Sequence, residues 1–388
     1  MILPYQGLRI LCVNQTAALG GGELCLLSEA ANLPVPPLTV LFETGPLAGR
    51  LNAAALPVEI LPHSGRALGI RKRSRVIGAL AALPSVGALV WRVARLMRGR
   101  HITIANSQKA FVVSALAAYF ARTKLIWRLH DVLDSQHFSP YLRRLVIFLA
   151  NTSARAVIAN SKASQSAFIR AGGRAELVSI AYPGLDAAVF DNVSQAEAAA
   201  LRATITSSKL PLIGMFGRLS PWKGQMVFIE ALALVPGCTG IIIGGPLFGE
   251  EAFEAALRAR ISELGLQSRI HLLGFRGDIP ALMKAMDIIV HASIAAEPFG
   301  RVIVEAMLAC KPVIASRDGG AMEIIEHGVT GFLSPPGDAA ALARTIQNLL
   351  DNPSKAAAAA CAGQAHAREM FTIQATTARI AKVIESLV

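Results

Sequence analysis

Short apolar runs separated by segments of helical length recur along the whole chain, and this alternation limits its fold more than any single residue does. In the first half the runs fall near residues 8–13, 38–42, 57–61, 101–105, 124–129, 155–159 and 176–181. In the second half they fall near 211–216, 240–244, 269–273, 287–291 and 312–316. Runs of this kind suit parallel strands covered by helices on both faces, so the pattern predicts a doubly wound α/β architecture. Hydrophobic residues make up 53% and charged residues 16%, which excludes a disordered chain. A length of 388 residues suffices for two such domains, expected at 1–190 and 210–370. The polar, Ala-rich stretch 191–209 breaks the strand rhythm and reads as their linker.

Two carboxylates and two cations stand where sheets of this type bind ligands. Glu297 and Glu305 lie eight residues apart across a loop-to-helix junction. Val302, Ile303, Val304, Met307 and Leu308 flank Glu305 with hydrocarbon, so its charge needs donors of the kind a ligand diol supplies. Pro298 suits a first helical turn, and the amides of Phe299, Gly300 and Arg301 are then expected to open toward whatever Glu297 faces. That would make an anion site. Earlier in the chain an apolar run ends at Gly217, and Arg218 and Lys223 straddle the turn into the next helix. Ligands of open α/β sheets bind beyond the carboxyl ends of strands, where this turn lies. A forked guanidinium with a point charge suits a diphosphate, and a deep carboxylate suits a ribose.

The residues that carry this chemistry also carry a family resemblance: GRLSPWKG at 217–224, Gly244-Gly245, LLGF at 272–275, EPFGRVIVEAM at 297–307 and GGAMEIIEHGVTGFL at 319–333. In order and spacing they resemble the nucleotide-binding half of the retaining family 4 glycosyltransferases over roughly residues 210–350. The resemblance implies the GT-B fold, two Rossmann-like doubly wound domains facing a cleft, with a last helix near 372–388 packing back on the first. It implies that Glu305 holds ribose hydroxyls and that Arg218 and Lys223 hold the diphosphate. The loop of Glu297, Phe299, Gly300 and Arg301 would then face the transferred sugar, with Glu297 as a catalytic residue, and Gly274 and Phe275 would also bind the donor. The activity implied is retaining transfer of a hexosyl group from GDP-mannose or a UDP-hexose to a lipid-linked or saccharide acceptor, in cell-surface polysaccharide or glycolipid assembly. The nucleotide-sugar is a co-substrate and no cofactor is expected.

The first half is less diagnostic. Gly20, Gly21 and Gly22 follow the first strand and precede a helix, as either a phosphate or acceptor cradle or a plain tight turn. The dinucleotide fingerprint is incomplete, and Glu43 is the only acid near the end of the second strand, so a nucleotide-dependent oxidoreductase is the weaker alternative. A non-catalytic sugar-binding relative is disfavoured by the presence of both acids and both cations. His130 and Asp131 end the run 124–129, and the resemblance puts a histidine here close to the transferred sugar. Ser161, in Asn160-Ser161-Lys162, is equally an ordinary helix cap. Tyr182-Pro183-Gly184-Leu185-Asp186 resembles the family's N-G-x-D turn, with Pro183 in place of the usual Asn.

Charge is distributed unevenly. Between Ile60 and His130 there are thirteen Lys and Arg residues and no Asp or Glu. Arg71, Lys72, Arg73 and Arg75, with Arg92 and Arg95, suit an anionic membrane surface better than nucleic acid, for which no recognised module is present. The apolar run 76–91 is interrupted by Pro84 and Ser85 and is too short to span a bilayer, and no secretory signal is visible. Five scattered cysteines, none in C-x-x-C spacing, suggest a reduced compartment without structural zinc. The expected location is therefore cytoplasmic, at the inner face of the membrane. None of the nine aspartates is spaced D-x-D, the metal-diphosphate clamp of the other major glycosyltransferase fold, so fixed cations and a helix dipole are expected to replace a metal. An Ala-rich run, 355–362, reads as an exposed helix.

Overall fold

The computed structural model describes residues 7–62, 76–133, 139–207, 209–246 and 250–388, with side chains in the helix that begins at Val76 described from residue 84 onward. The chain forms two compact units, Met1–Gly184 with Ile373–Val388, and Leu185–Thr372. Each is a parallel sheet covered by helices.

In the first unit the strands are β1 (Ile10–Asn14), β2 (Leu38–Leu41), β3 (Val58–Ile60), β4 (Ile102–Ala105), β5 (Lys124–Leu129), β6 (Ala154–Ala159) and β7 (Val178–Ile180). Helices α1 (Gly21–Asn32), α2 (Pro46–Ala53), α3 (Val76–Met97), α4 (Gln108–Ala121), α5 (Pro140–Ser153) and α6 (Lys162–Arg170) connect them. The sheet order is β3-β2-β1-β4-β5-β6-β7. Because β1 has inward side chains on both faces, it serves two cores. Ile10 and Cys12 pack with Leu26, Leu51 and Ile104, while Leu11 and Val13 pack with Val93 and Met97 of α3. Farther along, Phe111 of α4 stacks on Trp127 of β5 at 4.4 Å, in a core shared with α5 and α6. Helix α3 runs continuously through Pro84. No described helix is long and apolar enough to cross a membrane.

The second unit opens with α7 (Ala188–Asp191) and α8 (Gln195–Ile205). Its strands are β8 (Leu212–Phe216), β9 (Thr239–Ile243), β10 (Ile270–Leu272), β11 (Ile288–His291), β12 (Val313–Ser316) and β13 (Phe332–Ser334). Between and after them come α9 (Gln225–Ala233), α10 (Glu251–Glu263), α11 (Ile279–Ala285), α12 (Arg301–Leu308), α13 (Ala321–Ile324), α14 (Ala339–Asp351) and α15 (Pro353–Met370). The order is β10-β9-β8-β11-β12-β13. Helix α16 (Ile373–Leu387) then belongs to the first unit, where Ile380 and Ile384 join the core beside Ile10 and Leu26.

Two expectations change. Residues 191–209 are not a free linker, because most of them are helix anchored on the second unit. Arg202 Nη1 donates to Asp287 Oδ2 at 2.8 Å and to the Ala285 carbonyl at 2.9 Å, and Lys284 Nζ donates to the Val193 carbonyl at 2.7 Å. The polar composition that resembled a linker supplies these anchors. The Ala-rich run is not an exposed helix either, since Ala356, Ala359 and Ala360 are buried in α15. Small side chains let α15 lie close to its neighbours, to the point that a Cβ on Gly363 would come within 2.6 Å of the Thr330 carbonyl. Arg71, Lys72, Arg73 and Arg75 lie outside the described residues. Arg92 is described, and its Nη1 donates to the Pro62 carbonyl at 3.0 Å.

Candidate active site

In the second unit the sheet order reverses between β8 and β11, and open α/β sheets bind ligands beyond the carboxyl ends of the strands at such a point. The loop after β8 holds Arg218 and Lys223, and the loop after β11 holds Ser293 and Glu297. Gly224 lets the two loops meet. Its φ is +80°, and a Cβ there would stand 1.9 Å from the Ala292 carbonyl oxygen. The contact is fastened by Ile294 N–H donating to the Trp222 carbonyl at 2.8 Å.

The meeting point is a carboxylate surrounded by donors. Lys223 Nζ lies 2.5 Å from Glu297 Oε1, and His291 Nε2 lies 2.7 Å from Oε2, to which Ser293 Oγ also donates at 2.9 Å. Burial alone would raise the Glu297 carboxyl. The Lys223 ammonium and the hydrogen-bonded His291 outweigh it and hold Glu297 well below the ordinary carboxylate range. An ionised acceptor requires His291 to carry its proton on Nε2. On the other side, Lys223 Nζ sits 4.3 Å and Arg218 Cζ 5.7 Å from the centre of the Trp222 ring, so one indole orients both cations. Gln225, itself buried, donates to the Arg218 carbonyl at 2.9 Å.

The backbone of Glu297 is gripped from behind by the turn after β12. Gly320 N–H donates to the Glu297 carbonyl at 2.8 Å. At Gly319, whose φ is +56°, a Cβ would lie 2.3 Å from that oxygen.

Several expected positions move. Helix α12 begins at Arg301, capped by Gly300 at φ +100°, so Pro298 lies before the helix and not in its first turn. Phe299 is a core residue, 3% exposed and edge-on to Phe371 at 5.6 Å, so only its main chain is left for the loop surface. Glu305 is not enclosed in hydrocarbon. The apolar residues of α12 point inward on the other side, and Glu305 stands on the partly open side with Arg301 Nη2 at 3.3 Å. Gly274 accepts from Gly244 N–H at 2.9 Å, and Phe275 is exposed beyond the edge strand β10. Gly274 is thus tied to the end of β9, and neither residue has a described bond to the Glu297 cluster.

A second polar cluster occupies the equivalent place in the first unit, where the order reverses between β1 and β4. Asn14 ends β1, Asn106 follows β4 and His130 follows β5. Asn14 Nδ2 donates to the Thr16 carbonyl at 2.8 Å and to Glu23 Oε1 at 3.3 Å. Asn106 Nδ2 donates to Asn14 Oδ1 and to the Gly22 carbonyl, both at 3.2 Å, which leaves Asn106 Oδ1 toward His130 Nε2 at 2.9 Å. Asn160 Nδ2 holds the His130 carbonyl at 3.1 Å. Burial raises the Glu23 carboxyl above its ordinary range, and neighbouring Asp131 adds to this, against the hydrogen bonds from Asn14 and the α1 amides. The three glycines do not precede the helix but open it, with Gly20 as the cap and Gly21 and Gly22 in the first turn of α1, where a Cβ on Gly22 would touch the His130 ring at 3.5 Å. Ser161 is a buried helix cap, accepting from Ser164 N–H at 3.0 Å. Glu43 is held by Thr16 Oγ1 at 2.6 Å and by the Ala17 amide at 3.1 Å.

Sequence reasoning missed His291, Ser293, Asn14, Asn106 and Glu23. The signal was present, since four of them end or follow an apolar strand beside the reversal of strand order, where a polar side chain has no packing role.

Comparison with known proteins covers both units. The family profile "Glycosyltransferase Family 4" matches residues 47–189, and "Glycosyl transferases group 1" matches residues 199–366. Among solved structures, HepE of Anabaena in complex with UDP-glucose is 41% identical, with a TM-score of 0.88 over 97% of this chain and 99% of that one. The lipopolysaccharide core biosynthesis mannosyltransferase LpsB of Rhizobium meliloti is 32% identical over 45% of this chain and 51% of its own length. The 2-deoxystreptamine glucosyltransferase of Streptomyces kanamyceticus is 33% identical over 42% of each chain. The matched region thus spans about half the length of these curated relatives.

Proposed function

Because this chain belongs to the group 1 glycosyltransferases of family 4, we propose that it moves a hexosyl group from a nucleotide-diphosphate sugar to a lipid-linked or saccharide acceptor, with retention and without a metal. The observation that carries this reading is the Glu297 carboxylate, ionised and fixed by Lys223, His291 and Ser293 where the strand order reverses. A charge held by three donors is already organised when a sugar arrives, so little reorganisation remains for the reaction itself.

In this reading Glu305 accepts from the ribose hydroxyls, exchanging Arg301 for the diol. Arg218 and Lys223, both held on Trp222, meet the diphosphate. The acceptor oxygen bonds to the anomeric carbon on the face the phosphate leaves, the carbon–phosphate-oxygen bond breaks, and the acceptor's proton passes to the departing phosphate. Negative charge grows on the diphosphate as this happens, and Lys223 bridges that charge and Glu297. Glu297 orients sugar hydroxyls or supports the oxocarbenium-like centre. His130, with the Gly20–Gly22 turn behind it, orients the sugar or acceptor from the first unit.

The full-length similarity to a protein solved with UDP-glucose favours a UDP-hexose over GDP-mannose. The basic segment from Arg71 to Arg75 supports a peripheral position on the cytoplasmic membrane face, and with it a role in surface polysaccharide or glycolipid assembly. The test is a panel of labelled UDP- and GDP-hexoses incubated with membrane extract and with free saccharides. Transfer from a UDP-hexose into product of unchanged anomeric configuration is expected. Inverted product, or reduction of NAD without transfer, would overturn the reading.

A further inference from the structure

Helices α3, α4, α5 and α6 cover one side of the first sheet, and their outer surface is aromatic. Trp91 on α3 is 59% exposed, Phe120 on α4 67%, and Tyr141 and Phe148 on α5 82% and 61%. Helix α5 shows how this arises. Val146, Ile147, Leu149 and Ala150 face the core, while Tyr141, Leu145 and Phe148 repeat at helical spacing on the outside with Arg144 among them. A helix of a water-facing surface has one apolar stripe, and this one has two. The tyrosine hydroxyl of Tyr119 on α4 is hydrogen-bonded to Ser153 and Thr152 at the end of α5, so the two helices present one surface. On the opposite side of the sheet, α1, α2 and α16 expose no large hydrophobic residue among those described.

The charge around these rings identifies what covers them. From residue 60 to 175 the chain has nineteen Lys and Arg residues, of which Arg128 is buried against Glu29, and two acids, Asp131 and Asp134. Arg95, Arg98, Arg122 and Arg144 are exposed on the helices of this layer or at their ends. A second copy seated here would bring one cationic surface against another. Nucleic acid would satisfy the arginines and leave Leu145 and Phe148 against phosphate. An anionic bilayer satisfies both, with headgroup phosphates on the guanidinium groups and the rings at the acyl boundary.

We propose that the outer face of α3–α5, through Trp91, Phe120, Tyr141 and Phe148, inserts into the headgroup layer of an anionic membrane. The proposal deepens the membrane reading above and rests on it for the partner, but it uses different residues from the basic segment at 71–75 and a different force. The test is flotation of the full chain with phosphatidylcholine vesicles containing phosphatidylglycerol, against phosphatidylcholine alone, at low and high salt. Wild type is expected to bind the anionic vesicles and to retain part of that binding at high salt. Phe120→Ser and Phe148→Ser are each expected to weaken binding about tenfold, by removing a buried ring from the interface. Both should keep wild-type melting and UDP binding, since the rings are exposed. Lipids carrying bromine in the acyl chain should quench Trp91, read against Trp91→Phe. Ring variants that float as wild type does, while charge reversal of Arg71, Lys72 and Arg73 abolishes flotation, would overturn the aromatic surface and keep the membrane reading. A wild type that binds neither vesicle would overturn both. Tighter binding to an oligonucleotide than to vesicles, or a dimer that the ring variants abolish, would overturn the assignment of partner.

Discussion

Asn106 Oδ1 lies 2.9 Å from His130 Nε2, and the bonds behind Asn106 decide which ring nitrogen carries the proton. The Gly22 carbonyl can only accept, so Asn106 must turn its amide nitrogen there and its oxygen to His130, making Nε2 the donor. Asn106→Ala should leave nucleotide binding to the second unit unchanged and lower kcat by about 10- to 100-fold, the scale of a small misplacement near reacting groups. Asn106→Asp should restore the orientation and move the pH profile upward, because a carboxylate favours the protonated imidazole. Equal kcat in wild type and Asn106→Ala would remove His130 from the reaction.

The Glu297 cluster predicts a pH dependence of stability. Its folded carboxyl is held below the unfolded value, so its contribution is fully present above the ordinary carboxylate range and is lost as pH falls below it. Thermal melts of wild type and Glu297→Gln should therefore converge as pH is lowered through the acid range. Lys223→Ala removes the ammonium and should raise the Glu297 carboxyl. The same variant should lower turnover more than nucleoside affinity. Unchanged turnover at saturating donor would sink the assignment.

Glu305→Ala should weaken UDP binding by about 1.5–3 kcal/mol, the range for hydrogen bonds to a charged acceptor. The loss also releases Arg301, its partner at 3.3 Å, so Arg301→Ala is the control. Calorimetry should show the larger loss in Glu305→Ala if the carboxylate, and not the pair, contacts the ribose.

Transfer should survive EDTA, and added magnesium or manganese should change the rate only modestly. Activity abolished by chelator and restored by manganese would mean that the diphosphate is held in another way.

Arg128 and Glu29 form an ion pair in the core of the first unit, with Nη2 2.7 Å from Oε1 and side-chain exposures of 1% and 8%. Arg128 Nη1 also donates to the Ile158 carbonyl at 3.3 Å. Glu29→Ala should destabilise the first unit by about 3–5 kcal/mol, because the guanidinium is then buried without its partner. Denaturant unfolding of the double variant Glu29→Ala/Arg128→Met should recover much of that loss.

The sheets were legible because their central strands are buried on both faces and carry continuous apolar runs. The described strand that escaped notice, β13, has only three residues and is preceded by the polar turn of His327 and Gly328. At the candidate site, motif spacing located Arg218, Lys223, Glu297 and Glu305, but pairing within the set depends on loop geometry. Lys223 is bound to Glu297 because Gly224 lets two loops touch, a contact between residues about seventy positions apart that no local pattern encodes. The packing of Phe299 shows the same limit, since the sequence offered its amide to a ligand and said nothing of its ring, which lies edge-on to Phe371.

The grip of Gly319 and Gly320 on the Glu297 main chain bears on how this region can be exchanged between enzymes. A chimera that imports residues 292–308 from a relative with another donor also inherits a demand for the matching turn at 317–321, since any side chain at 319 would collide with the imported loop. Grafting the first segment alone should give folded protein with a displaced carboxylate, and grafting both should transplant donor preference as a single module.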